Sequence, residues 1–447
     1  MGAESLRSTS IVSVARFVDR KRGPILLTVG ATILVPLCWF TGCMATPIPG
    51  PGTVSPVAGS PIQHVVIVMQ ENRSFDNLFN GYPGADSVQV GMSLGTPVTL
   101  VPISLTDPHD LDHSHPAWWQ DLDSGKMDGF ARGNMNPPTF AYAFVPRDEI
   151  QAYWTMAQQY VLGDRMFQSN TGPSFAAHMY MIAGQSALAT ENPDSDYWGC
   201  DAPAGTTVPV LGPDGTDLPG VFPCWDYPTA ADLLDAKGMS WRFYAAASTD
   251  PTIVGSAYDA IRHIRYGADW NSNVIYPQTQ FLTDVQNGHL AQVTWVTPDY
   301  VHSDHPGTGS AEGPDWVAAV VNAIGSSKFW NSTAIFITWD DWGGWYDHVV
   351  PPTIDAMGPG FRVPVLMVSP YAKQDYISHQ AHESSGFITF IEHNWGLSNL
   401  GARDATADDF ADCFDYRQRP RPFLPIAVKT TADKLIKEEP SGAPDDD

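Results

Sequence analysis

The sequence predicts an α/β fold: a mostly parallel sheet with helices on both faces and long loops capping one edge. Two observations predict it. Short, near-continuous apolar runs alternate with helical periodicities, as buried parallel strands alternate with crossover helices. Two of these runs also end abruptly in carboxylates, at the edge where open α/β sheets bind their ligands. The first run is 64–69, followed by Gln70, Glu71 and Asn72. The second, 292–296, and the third, 334–339, follow far downstream, and the third ends in Asp340 and Asp341. The fourth, 363–368, leads to Ser369 and Pro370. Helical stretches are expected over 229–236, 316–324 and 387–393. Segments 185–225 and 250–290 are rich in Gly, Pro, Asn and Asp with scattered aromatics, and read as the capping loops.

The 447 residues suffice for one large α/β domain, and a hydrophobic fraction of 43% with 16% charged residues fits a globular chain. The formal net charge of −25 disfavours nucleic acid as a partner. A phosphate-bearing substrate would need local positive charge, and with 24 Lys+Arg against 49 Asp+Glu a metal ion is the expected source.

The chain divides into four parts. Residues 1–43 carry a basic start (Arg16, Arg20, Lys21, Arg22) and an apolar run from Pro24 to Gly42. This is the layout of an export signal. The Thr41-Gly42-Cys43 ending resembles a lipoprotein cleavage box that would lipidate Cys43, and an uncleaved membrane anchor is the third reading. All three place the remainder outside the cytoplasm, with attachment to a membrane through the N-terminus in two of them. Residues 44–60 read as a Pro/Gly/Ser/Thr linker, 61–429 as the catalytic domain, and 430–447 as an acidic mobile tail. Cys200 and Cys224 flank a Gly/Pro-rich loop that a disulfide would tie down. Cys413 is expected to be a buried free thiol.

Four motifs can carry chemistry. Glu71 and Asn72 offer hard oxygen ligands directly after a strand. Asp340 and Asp341 repel one another unless something cationic sits beside them. Ser174 follows Thr171-Gly172-Pro173 at the start of an apolar helical run through Phe175, Ala176, Ala177 and His178. It reads either as a helix cap or as a nucleophile in the positive potential of a helix N-terminus. Histidines recur at His109, His113 and His115, at His302 and His305, at His348, and at His379 and His382. Imidazoles ligate metals when neutral and protonate leaving groups when charged. Each motif alone reads more readily as a turn, a cap or a surface residue; together they are harder to dismiss.

Their order along the chain resembles the bacterial phosphoesterase family of phosphatidylcholine-type phospholipases C and related acid phosphatases. The resemblance runs from Ile62 to Leu397. It rests on the segment 64–76, on Gly172-Pro173-Ser174, on Ser303-Asp304-His305-Pro306, on 338–348, on Ser369-Pro370 and on Phe390-Ile391-Glu392. It implies an alkaline-phosphatase-like fold. It implies one metal ion, of a divalent kind (Ca, Zn, Mn or Fe), held by Glu71, Asn72, Asp340 and Asp341 together with the Ser174 nucleophile. It implies catalytic roles for His113, His305 and His348, a substrate-binding role for His379, and a Cys200–Cys224 disulfide. Ala177 departs from the family's usual Asn, which bears on substrate preference, and the segment 383–386 also departs from the usual pattern.

The expected activity is hydrolysis of a phosphate ester or phospholipid, phospholipase C-type first and acid phosphatase as the alternative. A non-catalytic surface-binding protein is the rival from another class. A sulfatase would need a modified nucleophile in a motif that does not occur here.

Overall fold

The computed structural model describes residues 54–131, 136–195, 197–246 and 256–438. The N-terminal segment with Cys43 lies outside the described residues. The centre of the described residues is a nine-stranded sheet. In chain order the strands are β1 (His64–Gln70), β2 (Val161–Phe167), β3 (Trp241–Tyr244), β4 (Val274–Ile275), β5 (Val293–Val296), β6 (Thr333–Trp339), β7 (Arg362–Val368), β8 (Tyr376–Ser378) and β9 (His382–Glu383). Across the sheet they run β4-β3-β5-β1-β6-β7-β2, with β8 and β9 both pairing β2.

The sheet is mostly parallel, as expected, and is mixed around one strand. β7 runs antiparallel to both β6 and β2, while the other pairings are parallel. Two antiparallel steps restore direction, so β2 points the same way as β1, β5 and β6. The carboxyl ends of all four therefore lie on one edge. Every residue of β1, β6 and β7 is buried, which is why these strands read as unbroken apolar runs.

The helices fall into two groups. Gln151–Gln159, Gln280–Gln286 and Ala432–Leu435 pack on Gly313–Gly325; Ala230–Ala236 and Gly386–Trp395 pack on Ser174–Ala183. A second aromatic cluster, including Trp118, Tyr142, Trp342, Trp345, Tyr346 and Phe361, lies beneath the loops.

The loops differ from expectation. Segment 185–225 holds a hairpin, Val208–Leu211 with Asp217–Val221, tied by the Cys200–Cys224 disulfide. The described part of 250–290 is not a cap, because it supplies edge strand β4 and the helix Gln280–Gln286. Beyond 430, the helix Ala432–Leu435 packs on Gly313–Gly325. Leu435 is fully buried, and Glu438 Oε2 lies 3.2 Å from His302 Nε2. At the other end of the described residues, the Val54 carbonyl accepts from Gln292 Nε2 and Val57 N donates to the Asn394 carbonyl. Cys413 is a buried free thiol.

Candidate active site

The shared strand edge assembles the site. Glu71 and Asn72 follow β1, Asp340 and Asp341 follow β6, His305 lies in the loop after β5, and the loop after β2 leads into the helix Ser174–Ala183. Asn72 sits at φ 55°, a left-handed conformation that asparagine tolerates better than most residues. That turn brings its backbone N–H to Asp340 Oδ1 at 3.1 Å. Gly343, at φ +60°, passes so close that a Cβ there would stand 2.1 Å from the Asn72 carbonyl oxygen. Only glycine fits between the two motifs.

Ser174 is the first residue of its helix, with Pro173 as the N-cap, so its hydroxyl does not cap. It is fully buried and donates instead to Asp341 Oδ2 at 3.2 Å. Asp341 Oδ1 accepts from Gly343 N at 2.7 Å, which fixes the carboxylate.

One turn along the same helix, His178 Nε2 lies 3.2 Å from Glu71 Oε1 and 3.7 Å from Asp340 Oδ2. Ligand atoms of Glu71, His178 and Asp340 all fall within 4.8 Å of one another. Burial lowers the His178 pKa, with Asp340 opposing, which favours the neutral form that ligates metals. The sequence reading passed over His178 as a ligand. The signal was its spacing from Ser174, since i and i+4 share one face of a helix.

His113 and His305 face Asn72 from the other side. His113 Nδ1 lies 2.7 Å from the Leu111 carbonyl and His305 Nδ1 lies 2.6 Å from the Pro306 carbonyl. Each Nδ1–H donates to its carbonyl, which turns Nε2 toward the site.

The Asn72 carboxamide lies between the carboxylates and the two histidines. One end is 3.0 Å from Glu71 Oε2 and 2.9 Å from Asp340 Oδ1; the other is 3.1 Å from His113 Nε2 and 2.9 Å from His305 Nε2. With Nδ2 toward the carboxylates, the amide donates to Glu71 Oε2 and Asp340 Oδ1. With Oδ1 toward them, oxygens converge at distances that only a cation makes favourable. Two further features fit a metal. Asp340 Oδ2 is buried with no hydrogen-bond partner. Burial and the charge of Asp340 push Asp341 up to about 7, with His113 and His305 opposing.

A pH and metal dependence follows. In the metal-free chain the folded-state pKa of Asp341 exceeds the unfolded value of about 3.9. The folded state then binds more protons between the two values, so stability falls as pH rises from about 4 to about 7. A divalent cation removes the repulsion. The thermal midpoint of metal-stripped protein is expected to drop over that interval, and the cation to restore it at pH 7. Midpoints that ignore both pH and cation would count against a metal at these carboxylates.

The structure does not bring His348 or His379 into this cluster. His348 Nδ1 lies 2.6 Å from Asp76 Oδ2 and its Nε2 lies 3.1 Å from Asp86 Oδ1. The His379 side chain is 58% exposed and its Nδ1 lies 2.8 Å from Asp164. His348 belongs to an ion-pair network around Arg362, and His379 is tied to Asp164, whose backbone carbonyl accepts from Arg362. The physical reason is charge: buried Asp76, Asp347 and Asp164 draw these imidazoles away from the strand edge.

Carboxylates, a carboxamide and imidazoles gathered beside a buried serine at a helix N-terminus suit a hydrolase of phosphoric ester bonds. Residues 62–398 match the Phosphoesterase family, and the chain belongs to it. It is 26% identical to phospholipase C B of Mycobacterium tuberculosis over 448 aligned positions, covering 81% of this chain and 80% of that protein. It is 27% identical to a non-hemolytic phospholipase C of Burkholderia pseudomallei, over 74% of this chain and 55% of that one, so it spans about half the length of that relative. Among solved structures, it overlaps a protein in the alkaline phosphatase superfamily from Vibrio parahaemolyticus at a TM-score of 0.40 and 11% identity, covering 83% of this chain and 74% of that one.

Proposed function

We propose that this chain is an exported, metal-assisted phosphodiesterase of the phospholipase C type, with Ser174 as nucleophile. The observation that carries this reading is the Ser174 hydroxyl, buried and 3.2 Å from Asp341 beside the Glu71–His178–Asp340 cluster. Glu71, Asn72, His178, Asp340 and Asp341 would hold the cation. When bound, it supplies positive charge that lowers the serine pKa and neutralises the phosphoryl oxygens.

The chain's own groups do the rest. Ser174 Oγ passes its proton to Asp341 Oδ2 as it attacks phosphorus in line. The helix N-terminus favours the anionic phosphoryl group at Ser174. His305 Nε2 faces the non-bridging oxygens, and His113 Nε2 protonates the leaving alcohol. Water then hydrolyses the phosphoseryl intermediate. Burial of the whole cluster strengthens each of these interactions.

The phospholipase C relatives support a diester as the substrate. A lipid leaving group is favoured by an apolar cavity of about 420 Å³ beside the nucleophile loop, lined by Thr171, Trp118, Trp119, Val350, Pro351 and Pro359. Trp119 is 51% exposed there. Export is supported by the basic and apolar N-terminal sequence and by the disulfide, which suits an oxidising compartment.

The test is hydrolysis of p-nitrophenyl phosphorylcholine and p-nitrophenyl phosphate side by side, with and without chelator. Preference for the choline diester, lost on chelation, is expected. Preference for the monoester would make the chain an acid phosphatase. Hydrolysis of neither, with metal restored, would favour a non-catalytic binding protein.

A further inference from the structure

A second cluster of ligating side chains lies at the outer edge of the sheet, on elements that carry none of the active-site residues. Strands β8 and β9 both pair with β2, and the turn Ala411–Cys413 packs beside them. Three unlike donors meet there: His382 Nε2, an Asp412 carboxylate oxygen and Cys413 Sγ, all within 4.8 Å of one another. His382 Nε2 is 3.6 Å from Asp412 Oδ1, and Cys413 Sγ is 3.3 Å from the same oxygen.

These separations have a metric meaning. A zinc ion about 2.0 Å from nitrogen and oxygen and about 2.3 Å from sulfur sets tetrahedral edges of roughly 3.3–3.5 Å. The two edges to Asp412 Oδ1 lie within a few tenths of an ångström of that.

The surroundings match a metal-bound histidine. His382 Nδ1 lies 2.6 Å from Asp408 Oδ1, which fixes the ring with Nε2 turned inward. A carboxylate on the far nitrogen is the usual outer partner of a zinc-ligating imidazole. The Phe410 ring stacks on His382 at 4.5 Å and holds its plane. Ser378 Oγ, 2.9 Å from His382 Nε2 and 2.6 Å from Asp412 Oδ2, supplies a fourth donor at the site. His382 and Cys413 are buried, while the Asp412 side chain is 23% exposed and opens a way in.

We infer that His382, Asp412 and Cys413 form a structural site for a zinc-like divalent cation, distinct from the catalytic cluster. Thiolate with imidazole selects zinc or cobalt over magnesium or calcium. Burial and the nearby carboxylates of Asp412 and Asp408 keep the Cys413 thiol protonated in the metal-free chain. Binding replaces that proton: the S–H bond breaks, the proton leaves to solvent, and an S–metal bond forms. The cation then pins the edge strands β8 and β9 to the segment carrying Asp408 through Cys413. The site does not depend on the proposed activity.

Cobalt tests it directly. The full chain, with Cys38→Ser and Cys43→Ser so that Cys413 is the one remaining free thiol, is stripped of metal and titrated with Co²⁺. A near-ultraviolet sulfur-to-cobalt charge-transfer band is expected, together with a raised thermal midpoint. Cys413→Ser should abolish the band and leave phosphoester hydrolysis unchanged. His382→Gln, a second variant should Cys413→Ser fold poorly, should weaken or abolish it. Asp340→Asn, which disables the catalytic cluster, should leave it in place. A folded parent chain that gives no band, or a band that survives Cys413→Ser, overturns the site.

Discussion

Replacing Ser174 by alanine is expected to lower kcat for phosphoester hydrolysis by about four orders of magnitude or more while leaving the fold intact. The two effects separate because the hydroxyl does little for stability. It caps no helix, and its one hydrogen bond, to Asp341 at 3.2 Å, is worth only about 1 kcal/mol. Its position is chemical: first residue of a helix, fully buried, with a proton acceptor in contact. Removing Oγ removes the atom that forms the covalent intermediate, and nothing else along that loop replaces it. Thr171 Oγ1 is engaged with His115 Nδ1 at 3.0 Å. The measurement is turnover of p-nitrophenyl phosphorylcholine, with circular dichroism to confirm folding. Turnover within tenfold of the parent would remove Ser174 as nucleophile. His113→Gln should cost less, because it removes proton transfer to the leaving group, typically about 10²–10⁴-fold, and not the nucleophile.

Much of this site was legible in the sequence because strand ends announce themselves. β1 and β6 are buried on both faces, so their apolar runs stop where the chemistry starts, at Glu71 and Asp340. β2 was not legible. It carries Gly163, Asp164 and Arg165 within Val161–Phe167, since Asp164 is buried by ion pairing and hydrogen bonding rather than by apolar contact. The antiparallel course of β7 was equally invisible, because a strand buried on both faces reads the same in either direction. His348 illustrates the same limit. Adjacent to Asp347 and near the Asp340–Asp341 pair, it looks catalytic in sequence. Direction along the chain after Gly343 and Gly344 decides the matter, and that turn sends it to Asp76 instead. His178 shows the reverse: a residue inside a helix whose role appears only when Ser174 is placed one turn before it.

The largest expected effect on stability comes from Arg362, the cation that β7 buries. Its Nε donates to Asp347 Oδ1 at 3.0 Å and its Nη2 to Asp347 Oδ2 at 3.1 Å. Its Nη1 donates to the carbonyls of Asp86 at 2.8 Å and Asp164 at 2.7 Å, and Nη2 lies 3.4 Å from Asp76 Oδ1. The guanidinium also covers the Phe75 ring. Arg362, Asp76 and Asp347 are all fully buried, so Arg362→Ala leaves two carboxylates facing one another without water. Breaking one partner of such a buried network typically costs about 3–5 kcal/mol. The loss carries a pH signature. Burial holds Asp347 up at about 6 even with Arg362 opposing. Without the arginine, Asp347 moves further above its unfolded value, so the folded variant takes up protons and its penalty shrinks as pH falls. His348 reinforces the trend. Burial alone would lower its pKa, but the hydrogen bond and charge of Asp76 and the charge of Asp347 outweigh that and raise it. Its stabilising charge is fully present below about 6.5 and is lost as pH rises through the raised value. The urea midpoint of Arg362→Ala should therefore fall well below that of the parent at pH 8 and recover part of the gap at pH 5. His348→Gln should lower the midpoint modestly at pH 5 and leave kcat near the parent value, because its partners are Asp76 and Asp86 and not the phosphoryl site. An Arg362→Ala midpoint equal to the parent's at both pH values would mean that the buried carboxylates find another partner. A large fall in kcat for His348→Gln at unchanged stability would return that histidine to the catalytic set.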